Sequence, residues 1–358
     1  MRRSLSFCFA LLMFCTLRAQ FSVPLTEEDN GNKYITASVN GVPVNFTFDT
    51  GCSSLSLNSN IFNELLRRGL IRSEDVYGEG EAEIAGGFSH TVRYFIVKRL
   101  KVGDCELHNI RASVGVNDQP DATPLFGQAV LERFSSYTVS NNRLSFKPKT
   151  EEEQLALYKA GRFKDDTTKT AQQIIIEALK PYADHLSPRY QLIYADALRN
   201  CEQYPQSIAV LQRLMNSETY QPGTYSLMER IVNTEAKYIE QLYEDSLYKE
   251  CEQIIYTVLK QAGNDPKMAI EAEYAYTVLC FSQIQQDDYT RAAASAEKYA
   301  DYILAPNTCK DLLSRPFREH KRLAQLFYYL SRHFHYAEDY EAAQRYKTMC
   351  EHVGGYKE

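Results

Sequence analysis

Apolar and polar residues alternate along the first third of the chain, whereas apolar residues recur at helical spacing along the rest. Tyr34 and the residues up to Val39 run into Asn40-Gly41, the strongest short signal for a β-hairpin. The returning segment places Val42, Val44, Phe46 and Phe48 at every second position, which predicts a strand with one buried face. Asn60 can then cap a short helix carrying Ile61, Phe62, Leu65 and Leu66, closed by Gly69. Further alternation over residues 92–97, at Leu100 and Val102, and over residues 105–114 predicts more strands, with Gly103-Asp104 as a two-residue turn. The pattern ends in Leu125-Phe126-Gly127, a short helical stretch to Phe134, and a strand at Leu144-Ser145-Phe146 after Asn141-Asn142. Together these predict a small closed β structure.

Beyond residue 149 the grammar changes. Residues 20–148 hold eleven of the 16 glycines, four of the 26 tyrosines and twelve valines; the remainder holds five glycines, 22 tyrosines and five valines. Valine- and glycine-rich sequence with turn signals reads as β, the rest as helix. The expected boundary lies at Lys147-Pro148-Lys149, ahead of an acidic helix start at Glu151. The expected organisation is therefore residues 1–19, a β domain over 20–148 and an α-helical domain over 149–358.

The helical part repeats. Tyr204, Tyr248, Tyr289 and Tyr340 are each followed three positions on by a small residue, namely Ser207, Cys251, Ala292 and Ala343. Ten positions on from each tyrosine stand Leu214, Val258, Tyr299 and Cys350. The intervals of 44, 41 and 51 residues make the period loose. A small residue one turn after an aromatic lets neighbouring helices approach closely, as stacked helical hairpins require. Asp288-Tyr289-x-x-Ala292 and Asp339-Tyr340-x-x-Ala343 resemble the second helix of tetratricopeptide repeats, although the usual signature of the first helix is missing. An irregular helical bundle is the alternative.

Residues 1–19 read as a cleaved signal peptide. Arg2 and Arg3 are basic, residues 5–17 are apolar but too few to span a bilayer, and Ala19 precedes Gln20. The protein is accordingly expected to be exported, periplasmic or extracellular, with no membrane span. Lysine and arginine total 40 against 46 acidic residues, a formal net charge of −6. Loss of the leader removes three arginines and makes the chain more acidic still. Such a balance excludes a nucleic-acid binder that relies on bulk positive charge. Seven cysteines remain after residue 19, widely spaced and without a C-x-x-C pair, and they read as small buried hydrophobes rather than metal ligands.

The candidate chemistry sits on Asp49-Thr50-Gly51, delivered at the end of an alternating apolar strand and followed by Cys52-Ser53-Ser54. A tripeptide of common residues is weak on its own; the strand before it and the Leu125-Phe126-Gly127 triplet downstream raise it. Hydrolysis of an amide by carboxylates needs two of them near enough to share one proton, so that one activates water and the other hydrogen-bonds the carbonyl. The chain holds one such motif, which argues against a two-lobed monomer, and a symmetric homodimer would have to complete the site.

Residues 46–51 together with 125–127 resemble the retropepsin-like aspartic proteases, and residues 125–146 look like the end of the domain in bacterial members of that family. The resemblance implies a retropepsin-like β-barrel domain followed by the TPR-like helical domain, and an aspartic endopeptidase with a polypeptide substrate. It assigns Asp49 as catalytic residue. Thr50, Gly51 and Cys52 form the active-site loop, Leu125, Phe126 and Gly127 the supporting loop, and Ala85, Gly86 and Gly87 the tip of a flap. No metal or cofactor is implied. Cys52 stands where the family usually has Ala or Ser. The alternative reading is a catalytically silent binding module whose helical repeats engage a protein partner. His333-x-His335 places two imidazoles on different helical faces, and Glu79, Glu81 and Glu83 read as the solvated face of a strand rather than metal ligands. Ser53 and Ser54 have no His-bearing motif nearby that would make a nucleophile.

Overall fold

The computed structural model describes residues 20–29, 31–84, 88–116, 120–217, 224–263, 268–304 and 320–356. The expected leader over 1–19, the expected flap tip at Ala85, Gly86 and Gly87, and Cys309 lie outside the described residues. The chain forms two compact units, one ending at Arg162 and the other beginning at Phe163.

The first unit contains strands β1 (Phe21–Pro24), β2 (Thr26–Glu27), β3 (Lys33–Val39), β4 (Val42–Phe48), β5 (Leu55–Leu57), β6 (Val76–Ile84), β7 (Phe88–Val102), β8 (Cys105–Gly115), β9 (Leu125–Phe126), β10 (Phe134–Ser140) and β11 (Arg143–Pro148). Helices α1 (Ser59–Arg67), α2 (Gln128–Leu131) and α3 (Glu151–Phe163) accompany them. One sheet runs β2-β3-β4-β9-β5-β8-β7-β6, and a further pairing of β3 with β7 closes six of these strands on themselves. The second sheet, β1-β11-β10, brings the start and end of the β sequence together.

The turns follow their residues. Asn40 and Gly41 both have positive φ, +48° and +93°, and Val39 faces Val42 across them. Asn141 and Asn142 repeat the geometry at +50° and +53°. These are the primed turns whose twist matches that of the flanking strands. Alternation puts Ile35, Ala37, Val39, Val44 and Phe46 inside, where they join Phe95, Leu107 and Ile110 in one core.

Two local readings need correction. The cap of α1 is Asn58, whose side chain accepts from the Ile61 N–H at 2.9 Å, rather than Asn60, which lies within the helix. The separate segments read at 92–97 and 100–102 are one fifteen-residue strand, because β7 pairs with β8 without interruption of the sheet.

The first unit extends past Lys149 for a tertiary reason. Arg133 is buried, and its guanidinium donates to the Gln154 carbonyl in α3 at 2.5 Å and to the Asn109 carbonyl at 3.0 Å. Glu153, itself buried, accepts from the Lys149 ammonium at 2.5 Å. At the other end of the helix the Arg162 guanidinium lies over the Tyr77 ring, which stacks on Tyr94, and the Arg111 guanidinium lies over the Tyr94 ring. Helix α3 is thereby fastened to the β structure, although its composition belongs with the helical residues after it.

The second unit is helical: α4 (Lys169–Leu179), α5 (Pro188–Asn200), α6 (Tyr204–Met215), α7 (Thr224–Glu244), α8 (Tyr248–Ala262), α9 (Ala269–Gln285), α10 (Tyr289–Leu304), α11 (His320–Tyr336) and α12 (Tyr340–His352). The four repeat tyrosines open α6, α8, α10 and α12. Two residues before each stands a non-glycine residue at positive φ: Glu202, Ser246, Asp287 and Glu338, between +56° and +62°. The next N–H in each case returns to the carbonyl five residues back, as from Gln203 to Leu198 and from Leu247 to Leu242, the closure that ends a helix with a left-handed residue. The small residues are buried and do more than leave room. Ser207 donates to the Ala195 carbonyl and Cys251 to that of Ile239, while the Ala343 carbonyl accepts from the Ser331 hydroxyl, each link spanning twelve residues across one hairpin. Leu214, Val258, Tyr299 and Cys350 are all buried at the equivalent later position. The array is TPR-like. Among the described residues no helix is long and apolar enough to cross a membrane, and the six described cysteines are all free thiols.

Candidate active site

Asp49 follows β4 directly. Its N–H donates to the Phe126 carbonyl at 3.1 Å, and the Thr47 N–H donates to the Pro124 carbonyl at 2.9 Å. These bonds are possible because β9 lies parallel to β4, with Thr47 opposite Leu125 and Phe48 opposite Phe126. Strand β9 is also antiparallel to β5, so it wedges between the strands that enter and leave the Asp49 loop. Phe126 is fully buried and contacts both Phe46 and Phe48, which fixes the apolar side of the wedge.

The loop is held from three directions. The Gly51 N–H donates to Asp49 Oδ1 at 2.8 Å, turning the carboxylate back over its own backbone. A Cβ on Gly51 would stand 3.2 Å from that oxygen, close but not prohibitive. Gln128 clamps the loop twice, its side-chain amide donating to the Thr50 carbonyl and its backbone N–H to the Cys52 carbonyl, both at 2.7 Å. Gly127 is required by contact: a Cβ there would fall 2.3 Å from the carbonyl oxygens of both Cys52 and Ser54. Its φ of −112° is ordinary, so the constraint is close approach, not backbone strain.

Asp49 is half-buried and Thr50 exposed. Among the described residues Gly51 supplies the one hydrogen bond to the Asp49 carboxylate, leaving Oδ2 without a donor. The Cys52 thiol points to the Ser54 carbonyl at 3.4 Å rather than to the carboxylate. Ser54 turns inward and shares a 2.7 Å hydrogen bond with Ser113 on β8, tying the loop to the barrel wall. It is a structural hydroxyl pair. The structure thus gathers Asp49, Thr50, Gly51, Cys52, Leu125, Phe126 and Gly127 around one loop. Gln128 and Ser113 escaped the sequence reading; a polar residue directly after the apolar-apolar-glycine triplet was the only local hint of the first.

Strands β6 and β7 form the hairpin expected to carry a flap, paired from Val76 opposite Phe95 to Ile84 opposite Phe88. On its surface Arg93 pairs with Glu79 at 2.8 Å, and Thr91 donates to Glu81 at 3.0 Å. These carboxylates have strand partners. Among the described residues no cluster of three or more His, Cys, Asp or Glu side chains could hold a metal ion. His333 stacks on the Tyr289 ring, and burial lowers its pKa below the usual imidazole value; His335 is exposed.

Comparison with known proteins finds a similarity over the first unit. Residues 35–133 match the family described as "gag-polyprotein putative aspartyl protease". Among solved structures, a retropepsin-like aspartic protease from Rickettsia conorii is 24% identical, covering 35% of this chain and 98% of its own, with a TM-score of 0.28. For the longer helical stretch, MamA from Desulfovibrio magneticus RS-1 is 15% identical, covering 57% of this chain and 96% of its own, with a TM-score of 0.30. BtubC from P. vanneervenii is 12% identical, covering 59% and 95%, with a TM-score of 0.25. Comparison with curated protein sequences gave no match. The chain resembles the retropepsin-like aspartic protease family through its N-terminal β unit and carries a TPR-like helical unit after it.

Proposed function

We propose that the protein is an exported aspartic endopeptidase that works as a homodimer. Asp49 of each subunit would meet on the two-fold axis and share one proton. The ionised carboxylate takes a proton from the attacking water, and the protonated one hydrogen-bonds the carbonyl of the scissile peptide bond. The pair titrates as a unit, so neither pKa belongs to one subunit. Thr50 would bond across to its counterpart and hold the two loops in register. The β6–β7 hairpin would cover the cleft, and the helical unit would recruit or position the polypeptide substrate.

The observation that carries this reading is the Asp49 loop itself. Oδ1 is fixed by the Gly51 N–H at 2.8 Å, and the loop is locked by Gln128 and Gly127 while Oδ2 has no donor among the described residues. One oxygen held and one left for a partner is what a shared-proton pair requires. The test compares residues 20–358 with the Asp49→Asn form on a mixed peptide library from acidic to neutral pH, with molecular mass recorded alongside. Cleavage by the dimeric wild type and none by a dimeric mutant supports the proposal. Equal inertness of both forms, with the wild type dimeric, or equal cleavage by both, overturns it.

A further inference from the structure

The ladder between β7 and β8 ends where Val92 faces Gly115. Beyond it, residues 81–84 and 88–91 pair with each other as a two-stranded ribbon, to which the Val116 N–H adds a bond to the Thr91 carbonyl at 2.9 Å. A two-stranded ribbon is marginal in water by itself, so its attitude is set at its root. There β6 is weakly built. Its pairing with β7 shifts register between Val76 and Gly78, which leaves Tyr77 as the extra residue of a bulge, and Gly78 and Gly80 bring no side chains to the root.

Aromatic rings take the place of those side chains. Tyr94 lies against Gly80, where an added Cβ would stand 3.0 Å from the ring. It stacks on Tyr77 with ring centroids 6.2 Å apart and planes 19° from parallel. The Arg111 guanidinium of β8 lies 4.3 Å from the centre of the Tyr94 ring. From outside the sheet comes Arg162, in the last turn of α3, whose guanidinium carbon is 5.4 Å from the centre of the Tyr77 ring. The helix that carries it is fixed near its start, where Arg133 holds the Gln154 carbonyl and Lys149 pairs with Glu153. Arg162 is exposed and forms no ion pair among the described residues, so its charge is free to lie on the ring. A guanidinium is planar and weakly hydrated, which suits it to an aromatic face.

We propose that Arg162 is a positioning residue. By bracing the Tyr77–Tyr94 stack it fixes the angle at which the β6–β7 ribbon leaves the barrel, and so how the ribbon is presented to substrate; that last step rests on the reading of the hairpin as the cover of the cleft. The brace is the contribution of α3, the segment through which the chain passes from the β unit into the helical unit. An exposed contact of this kind shifts an opening equilibrium by about two- to fivefold. That is enough to bias a ribbon and too little to decide the fold.

The test is amide hydrogen exchange of the full chain, read by mass spectrometry over residues 78–84 and 88–94 with β3 and β4 as internal reference. Arg162→Ala should speed exchange of the ribbon by about two- to fivefold, while β3, β4 and the urea midpoint stay at their wild-type values. Arg162→Lys keeps a cation over the ring and should fall between the two. Lys159→Ala removes an exposed cation from the same helix and should change nothing. Because Arg162 acts through Tyr77, Arg162→Ala should add nothing in a Tyr77→Leu background. On a peptide cleaved in the library assay, Arg162→Ala should raise KM by a similar factor and leave kcat unchanged. Unchanged ribbon exchange in Arg162→Ala, equal acceleration by Lys159→Ala, or an undiminished effect in the Tyr77→Leu background overturns the brace. A fall in kcat at constant KM overturns its part in presenting the ribbon to substrate. The exchange results stand whether or not the library assay finds cleavage, so the brace and the endopeptidase reading fail separately.

Discussion

Replacement of Gly127 by alanine tests the architecture of the candidate site most directly. The added Cβ would lie 2.3 Å from the carbonyl oxygens of Cys52 and Ser54. Real Cβ contacts do not fall below 3.0 Å, so the loop carrying Asp49 must retreat by at least 0.7 Å. Both obstructing atoms are backbone and are held there: the Cys52 carbonyl accepts from the Gln128 N–H at 2.7 Å. No rotamer change relieves the clash. Overpacking of this kind costs about 1–3 kcal/mol, and a misplacement near 1 Å lowers the rate of a positioned reaction by about 100-fold. We expect kcat/KM for a cleaved peptide to fall by about two orders of magnitude, with faster amide exchange over residues 125–131 read by mass spectrometry. Gly51→Ala, whose Cβ would meet Asp49 Oδ1 at 3.2 Å, should be milder. Full activity and unchanged exchange in Gly127→Ala would refute the close approach, and with it the wedge of β9 as the determinant of loop position.

Two further predictions concern each unit by itself. Asn40 holds φ at +48°, donates to the Leu70 carbonyl at 2.8 Å and accepts from the Arg99 N–H at 2.9 Å. Asn40→Ala should therefore cost about 3 kcal/mol, from the left-handed backbone and two lost hydrogen bonds, read as faster exchange across β3, β4 and β7; unchanged exchange would contradict it. In the helical unit Glu235 is buried, its Oε2 lacks a hydrogen-bond partner among the described residues, and desolvation raises its pKa from 4.5 to about 7. The folded form keeps its proton to higher pH than the unfolded form. Stability from this group is thus full below pH 4.5, falls as pH rises to about 7 and then levels, a loss on the order of 3 kcal/mol. Glu235→Gln imitates the protonated acid, so it should match the wild type at acidic pH and resist urea better at pH 8. Identical pH dependence in the two proteins would dispose of the assignment.

Much of this was legible because it is local. Asn40-Gly41 and Asn141-Asn142 favour left-handed conformations through their own backbones, so those hairpins required no knowledge of the rest of the chain. The tyrosine-small-residue repeat marked α6, α8, α10 and α12 because a helix places residues three apart on one face. Asp49 could be located for the same reason: the alternation before it says where the strand ends.

What the sequence alone could not determine depends on partners distant along the chain. The wedge of Leu125-Phe126 between β4 and β5, the Gln128 clamp and the contact requirement at Gly127 arise from parallel pairing across more than seventy residues, which leaves no periodic trace. Helix α3 reads by composition as part of the helical region; the buried Arg133 and the Arg162–Tyr77 contact make it part of the β unit. The choice of Asn58 over Asn60 as helix cap was decided likewise, since the Asn58 amide also donates to the Ala122 carbonyl at 2.8 Å. The twelve-residue links across three hairpins belong to both levels. The sequence marks the small residues, and only helix packing shows that Ser207 and Cys251 donate across to a neighbouring backbone and that the Ala343 carbonyl accepts from Ser331. Local propensity and periodicity write themselves into neighbouring residues, whereas close approach and burial are properties of pairs that meet only when the chain folds.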